Sequence, residues 1–154
     1  MKKEMVKDWM TSDVITVHPE TSLPETHQLM VSEEIRRMPV VDADGRLVGM
    51  VTLGDVRGAQ PSPATSLSIW EMNYLLSSLK VEKIMTPEPI VIYPEQTIGE
   101  AARIMLENRV SGLPVVDEDG RICGIITESD IFSMVVIHEW SEELEDVELH
   151  NTNS

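Results

Sequence analysis

The sequence contains one cysteine, Cys123, so no internal disulfide can form. That residue lies in an apolar run that reads as a strand, which suits a small core residue better than a metal or redox role. No apolar run approaches the roughly 20 residues that a membrane span needs. The N-terminus, Met-Lys-Lys-Glu-Met-Val-Lys-Asp-Trp, is too polar for a secretory signal. A cytoplasmic location is therefore expected. Positive charge is scarce: 12 Lys and Arg stand against 27 Asp and Glu, for a formal net charge of −15. Such a chain repels nucleic-acid backbones and anionic membranes, and it lacks the basic footprint that DNA binding requires. Part of the acid is local, because Glu139, Glu142, Glu143, Glu145, Asp146 and Glu148 crowd the C-terminus. They read as a solubilising helix end and tail.

Catalytic constellations are missing too. His18, His27, His138 and His150 have no zinc-pair spacing, and Cys123 stands alone, so no metal site is expected. No nucleophile elbow surrounds any serine. There is no GxGxxG and no Walker loop. A hydrolase or oxidoreductase has nothing to stand on.

What the chain does have is a repeat. At 154 residues and 42% apolar content it can form one domain or two small halves with a shared core. Slid 75 positions along itself, it matches without a gap, with 18 identities over the 52 positions from Val6 to Arg57. Met10-Thr11 falls on Met85-Thr86, Pro39-Val40-Val41-Asp42 on Pro114-Val115-Val116-Asp117, and Thr52 and Asp55 on Thr127 and Asp130. One supersecondary unit is used twice, so function is sought in what two such units make together.

Each unit opens on a short β segment, Val14-Ile15-Thr16-Val17 or Ile90-Val91-Ile92. A helix follows, signalled by the capping boxes Ser22-Leu23-Pro24-Glu25 and Thr97-Ile98-Gly99-Glu100. In the second helix Ile98, Ala101, Ala102 and Met105 share a face, with Arg103 and Glu107 off it. Pro-Val-Val-Asp is a strand, and Asp42-Ala43-Asp44-Gly45 and Asp117-Glu118-Asp119-Gly120 are hairpin turns in which glycine supplies positive φ. The strands return through Leu47–Val51 and Ile122–Ile126 into a helix opened by Thr52 or Thr127. Between the units, Gly58-Ala59-Gln60-Pro61-Ser62-Pro63 reads as a loop, and Ser66 to Lys80 as an inserted helix with Ile69, Met72, Leu75, Leu76 and Leu79 on one face. A last helix runs from Asp130 through Trp140.

The recurring Gly-aliphatic-aliphatic-Thr-x-x-Asp, Gly49 to Asp55 and Gly124 to Asp130, supports two readings. It is a helix N-cap with an acid in the first turn. It is equally an anion site, where a helix N-terminus offers N–H groups and threonine donates to phosphate. An aspartate one turn on then accepts from two ribose hydroxyls, facing the sugar and away from the phosphate.

Pro-Val-Val-Asp-x-x-Gly with Gly-aliphatic-aliphatic-Thr-x-x-Asp and an upstream Met-Thr, given twice, resembles a tandem pair of CBS domains, a Bateman module. The resemblance covers residues 6 to about 135. The stretch Ser68-Ile69-Trp70-Glu71-Met72-Asn73-Tyr74-Leu75-Leu76 is similar to the acetoin-utilisation branch of stand-alone CBS proteins. The resemblance implies an α+β fold of two β-α-β-β-α CBS repeats packed sheet to sheet with pseudo-twofold symmetry. The units run over 6–58 and 81–137, with a linker and inserted helix at 59–80 and an acidic helix end and tail at 138–154.

The resemblance also implies a non-enzymatic sensor with two clefts for adenosine ligands: AMP, ADP or ATP, with S-adenosylmethionine a further candidate. Thr52 and Asp55 serve one cleft, Thr127 and Asp130 the other, in phosphate and ribose roles respectively. The base lies on the opposite unit's first strand, which puts Pro89 and Ile90 beside Asp55, and Val14 and Ile15 beside Asp130. Arg36 and Arg37 stand where the family places phosphate-binding cations, whereas the second repeat has Ser111 and Gly112, so the clefts are unequal. A solvated helix end is the other reading of the two arginines. His18 and Tyr93 either edge a pocket or end surface strands. A structural, dimerising or partner-binding module without a physiological nucleotide is the alternative function.

A homodimer is also expected. Ile131, Met134, Val135 and Val136 give the last helix more than one apolar face, and Trp70 and Tyr74 of the insert add to that surface. The resembling family generally pairs this way. The regulated protein partner is not identified by the sequence.

Overall fold

The computed structural model describes residues 4–60 and 68–139. In chain order the elements are α1 (Val6–Trp9), α2 (Leu23–Ser32), β1 (Arg37–Val41), β2 (Leu47–Thr52), α3 (Leu53–Gly58), α4 (Ile69–Ser78), a 3-10 turn (Val81–Lys83), β3 (Thr86–Pro87), α5 (Ile98–Asn108), β4 (Gly112–Val116), β5 (Ile122–Thr127) and α6 (128–139). This is the α+β repeat the sequence implies. Pro61, Ser62, Pro63 and Ser66, and the tail from Trp140 on, lie outside the described residues.

The two hairpins are copies of one another. β1 pairs antiparallel with β2 and β4 with β5, each with a register shift one residue before the strand ends, at Val40/Val41 and Val115/Val116. Gly45 and Gly120 close the turns at the same φ, +81°, which only glycine adopts without strain. The carboxylate oxygen Oδ1 of Asp42 accepts from the amides of Asp44 and Arg46, at 2.9 and 3.0 Å, and Asp117 repeats this with Asp119 and Arg121. The two tips then dock on each other. Leu47 N donates to Gly120 O at 2.9 Å, while Arg46 Nε donates to Asp119 O and Arg121 Nε to Asp44 O, at 3.2 and 3.1 Å.

The leading segments of the repeats are exchanged. Val6 N donates to Gln96 O at 2.9 Å, and its counterpart Val81 N donates to Thr21 O at 2.9 Å. Thr11 pairs with Ile125 of β5, and Thr86 of β3 pairs with Met50 of β2. Fully buried Val6 belongs to the second repeat's core with Ile92, Ile98, Ala101, Met105, Leu113, Val115 and Ile126. Fully buried Val81 belongs to the first repeat's core with Val17, Leu23, Met30, Met38, Val40, Val51 and Val56. Each exchanged valine contributes about 2 kcal/mol by burial, in a half that is not its own.

Several local expectations are corrected. The opening β segments shrink to single bridges, Val17 to Val40 and Ile92 to Val115, because Val14, Ile15, Pro89 and Ile90 turn toward cavities and do not pair. Ser22 and Thr97 accept from the amides of Glu25 and Glu100, but no return bond from either glutamate completes the box; Glu100 instead accepts from Gln96 Nε2 at 2.9 Å. Ile98, Ala101 and Met105 are buried, Ala102 only partly, and Arg103 pairs with Glu107 on the solvent side. Leu76 of α4 and Leu79, which caps it, pack inward, whereas Ile69, Trp70, Tyr74 and Leu75 are exposed. Ile131 and Met134 of α6 cover the second core, and Val135 and Val136 face outward with Phe132. Cys123 is half-buried, and its thiol donates to Val115 O at 3.3 Å. Burial, with Asp117 and Glu95 adding, pushes that thiol above its usual range and keeps it protonated.

Gly124 is where the exchange is tightest. A Cβ there would lie 2.9 Å from Thr11 O, a backbone atom. Gly124→Ala is expected to cost about 1–3 kcal/mol, since the exchanged segment must move. Gly58 meets nothing within 4 Å, so Gly58→Ala should leave stability unchanged or raise it by up to about 1 kcal/mol. Urea denaturation at constant m-value checks both. Equal midpoints for the two variants would contradict the close approach.

Candidate functional site

Two cavities lie where the repeats face each other. One, of about 380 Å³, is lined by Thr52, Met50, Thr86, Glu88, Pro89, Ile90, Arg109, Val110, Leu113 and Pro114, together with Arg37, Ser111 and Gly112. The other, of about 560 Å³, is lined by Thr127, Thr11, Asp13, Val14, Ile15, Glu34, Ile35, Ile125, Glu128 and Ser129, together with Arg36, Arg37 and Ser111. The fold thus brings Thr52 together with Pro89 and Ile90, and Thr127 with Val14 and Ile15. Asp55 and Asp130 line neither cavity.

The aspartates are held by the helices they start. Thr52 Oγ1 accepts from Asp55 N at 3.1 Å, and Asp55 Oδ2 accepts from Thr52 N at 2.9 Å, a complete capping box. Thr127 and Asp130 repeat it, with Asp130 Oδ2 accepting from Thr127 N at 2.8 Å and from Thr127 Oγ1 at 3.1 Å. The first amide of α3, Leu53 N, donates to Arg36 O at 2.7 Å, and that of α6, Glu128 N, donates to Ser111 O at 3.0 Å. Most donors at these helix ends are therefore already committed to the protein. An anion here is left chiefly to side chains.

The side-chain cations are arginines. Arg37 is half-buried at the start of β1, and its Nη2 donates to Ser111 Oγ at 2.6 Å. Its guanidinium lies against Gly112, with Cζ 3.0 Å from where a Cβ would sit, so a side chain at 112 would collide with it. Burial lowers the Arg37 pKa; Glu128 opposes this and Arg36 adds to it. The group stays charged, as guanidinium does in proteins. Of the two cavities, Arg36 lines the Thr127 one and not the other.

Arg109, which the sequence reading passed over, lines the Thr52 cavity. It sits in the left-handed region at φ 54°, capping α5, and its counterpart Glu34, two residues past the end of α2, has φ 55° and lines the other cavity. The 75-residue offset paired these two positions, and their opposite charge was the available signal. His18 and Tyr93 line neither cavity, and a ring nitrogen of His18 instead meets Val41 O at 3.0 Å. Among the described residues no helix is long and apolar enough to cross a membrane. No group of three or more His, Cys, Asp or Glu among them is placed to hold a metal ion.

The CBS domain family model matches residues 6–62 and 81–137. A CBS domain-containing protein of Dictyostelium discoideum is 34% identical over 134 residues, which are 87% of this chain and 92% of the relative. Other matches take in only part of the relative: homoserine O-acetyltransferase of Methanohalobium evestigatum is 34% identical over 130 residues, 84% of this chain but 24% of that enzyme. Among solved structures, CBSX2 of Arabidopsis thaliana in complex with AMP superposes with a TM-score of 0.75 at 30% identity, covering 88% of this chain and 98% of that one. The CBS domain pair of protein MJ0100, in complex with 5′-methylthioadenosine and S-adenosyl-L-methionine, gives 0.72 at 28% identity, covering 87% and 97%. An AcuB-type acetoin-utilisation protein of Vibrio cholerae gives 0.75 at 28% identity, covering 92% and 98%.

The capping oxygen of Thr127 can be tested apart from any ligand. Thr127→Val removes the acceptor for Asp130 N and is expected to cost about 1 kcal/mol, while Thr127→Ser retains the oxygen and costs little. Thermal melts of the two variants decide it. A serine variant as unstable as the valine one would show that the cap is not what Thr127 supplies.

Proposed function

This chain belongs to the CBS domain family and carries the domain twice; from that premise we propose that it is a non-enzymatic regulatory module binding adenosine-containing ligands in its two clefts. The observation that carries this reading is the pairing, in each cavity, of a Thr-capped helix start, an arginine and an aliphatic wall from the opposite repeat. The crystal complexes of CBSX2 with AMP and of the MJ0100 pair with methylthioadenosine and S-adenosylmethionine support it.

In this reading the purine lies on Pro89 and Ile90 in one cleft and on Val14 and Ile15 in the other, aliphatic surfaces that suit a flat apolar face. Thr52 donates to phosphate, and Thr127 does so once its hydroxyl proton turns from Asp130 Oδ2, aided by Arg36 and Arg37. Each aspartate spends Oδ2 on its own threonine amide. Oδ1 of Asp55 and of Asp130 then accepts ribose hydroxyls from a ligand lying along the first helical turn. AMP, ADP and ATP share these elements, and S-adenosylmethionine keeps all but the phosphate. The working units are 6–58 and 81–137, joined through 59–80, with 138–154 as an acidic extension. A ligand bridging two repeats stabilises one of their relative arrangements, and the signal is that population shift, read in the cytoplasm by a protein partner.

A specific observation favours pairing of two chains as well. Trp70 and Tyr74 on α4 are 84% and 74% exposed, and Phe132 and Val136 on α6 are both 64% exposed. Apolar faces this open are hidden most simply by a twofold dimer. Light scattering at micromolar concentration is expected to give twice the chain mass; one chain mass throughout, with or without nucleotide, contradicts it.

Ligand binding is checked by thermal shift with AMP, ADP, ATP and S-adenosylmethionine. A ligand at 100 times its dissociation constant adds about 2.7 kcal/mol of stability. Asp55→Ala and Asp130→Ala each remove charge-assisted bonds to ribose and are expected to weaken their cleft about tenfold or more by calorimetry. Unchanged affinity in the folded double variant contradicts the site, and no shift with any ligand favours a pure interaction module.

A further inference from the structure

The two clefts are separate cavities that meet at one cation. Among the described residues, Arg37 and Ser111 alone line both, and they are bonded to each other at 2.6 Å. Positions 37 and 112 are counterparts under the 75-residue repeat. The Arg37 side chain therefore crosses to its own symmetry position, and the bare backbone of Gly112 is what makes room for it. One guanidinium occupies this place between the repeats, and both clefts face it.

The remaining charges divide unequally. Besides Arg37, the Thr52 cleft has Arg109 against Glu88. The Thr127 cleft has Arg36 against Asp13, Glu34 and Glu128. With Arg37 counted, the first cleft is cationic by one charge and the second anionic by one. With Arg37 drawn away, the first is balanced and the second anionic by two. A phosphate gripped by two parallel N–H bonds fixes the plane of the guanidinium and neutralises its charge.

We infer that Arg37 is a shared phosphate-binding cation: a phosphate-bearing adenosine ligand seats first in the Thr52 cleft, and its hold on Arg37 lowers the affinity of the Thr127 cleft for a second such ligand. This rests on the adenosine-binding reading of the clefts. The antagonism belongs to the phosphate, so an uncharged adenosine ligand fills the two clefts independently. The fold then accommodates two different adenosine ligands at once, one anionic beside Arg109 and one without phosphate beside Thr127.

Calorimetry on the full chain tests it with AMP and with uncharged methylthioadenosine as probes. Ile90→Trp fills the aliphatic wall of the Thr52 cleft while leaving Arg37 in place. The Thr127 cleft of that variant is expected to bind AMP about fivefold or more tightly than the second site of the unaltered protein. Methylthioadenosine should show no such gain, and the gain for AMP should vanish when Arg37→Gln is added. Methylthioadenosine binding at the Thr127 cleft reports that each variant is folded, and Pro89→Trp replaces Ile90→Trp if that variant is not. Equal AMP affinity of the Thr127 cleft with the other cleft blocked or filled overturns the shared cation while leaving the binding reading intact. A gain that persists without Arg37 overturns it too. Absence of binding by both probes to the unaltered protein overturns the binding reading and this proposal together.

Discussion

The exchange of leading segments is the constraint on which the rest depends. Val6 is buried in the second repeat and Val81 in the first, each pinned by an amide donating across the molecule, to Gln96 O or Thr21 O at 2.9 Å. Neither repeat completes its core alone. The exchange also sets the relative position of the halves, because Thr11 lies on β5 and Thr86 on β2. Both threonines then line the clefts. Glycine at 49 and 124 leaves space for Met85-Thr86 and Met10-Thr11 to lie that close. One packing arrangement thus supplies stability and the walls of the candidate sites.

Much of this was legible from a self-comparison. The 75-residue offset located the hairpins, the glycine turns, the α2 and α5 starts and the paired Thr-x-x-Asp motifs. Through the family resemblance Pro89 and Ile90 were expected beside Asp55, and Val14 and Ile15 beside Asp130; the cavities bring these aliphatic residues together with Thr52 and Thr127, while the aspartates line neither. The exchange itself was not legible, since a repeat beginning at Val6 reads equally well as packing on its own unit. The α4 face was half legible. Its 3.6-residue period is real, but Leu75 and Ile69 fall on the flank that the first repeat does not reach. The opening β segments were overestimated because β-branched residues suit a cavity wall as well as a strand.

Electrostatics shift weight within the site. A helix N-terminus attracts anions through unsatisfied amides. Here Thr52 N and Thr127 N are taken by aspartate, Asp55 N and Asp130 N by threonine, and Leu53 N and Glu128 N by carbonyls. The Thr-x-x-Asp motif is therefore a helix cap in both repeats, and the proposed ligand role rests on the carboxylate oxygen that the cap leaves over. The arginines that line the cavities are Arg36, Arg37 and Arg109, in a chain of formal net charge −15. Arg37 and Arg109 against Glu88 leave the Thr52 cleft the one cationic cavity of the two in this acidic protein.

A crystal structure of the full chain grown with AMP is the most direct measurement of the central claim. The account predicts electron density for the nucleotide between the repeats, with the purine against Pro89 and Ile90, the ribose at Asp55, and the phosphate at Thr52 with Arg37 or Arg109. Nucleotide bound only on the outer helical faces, or no nucleotide in either cleft at saturating concentration, would contradict it.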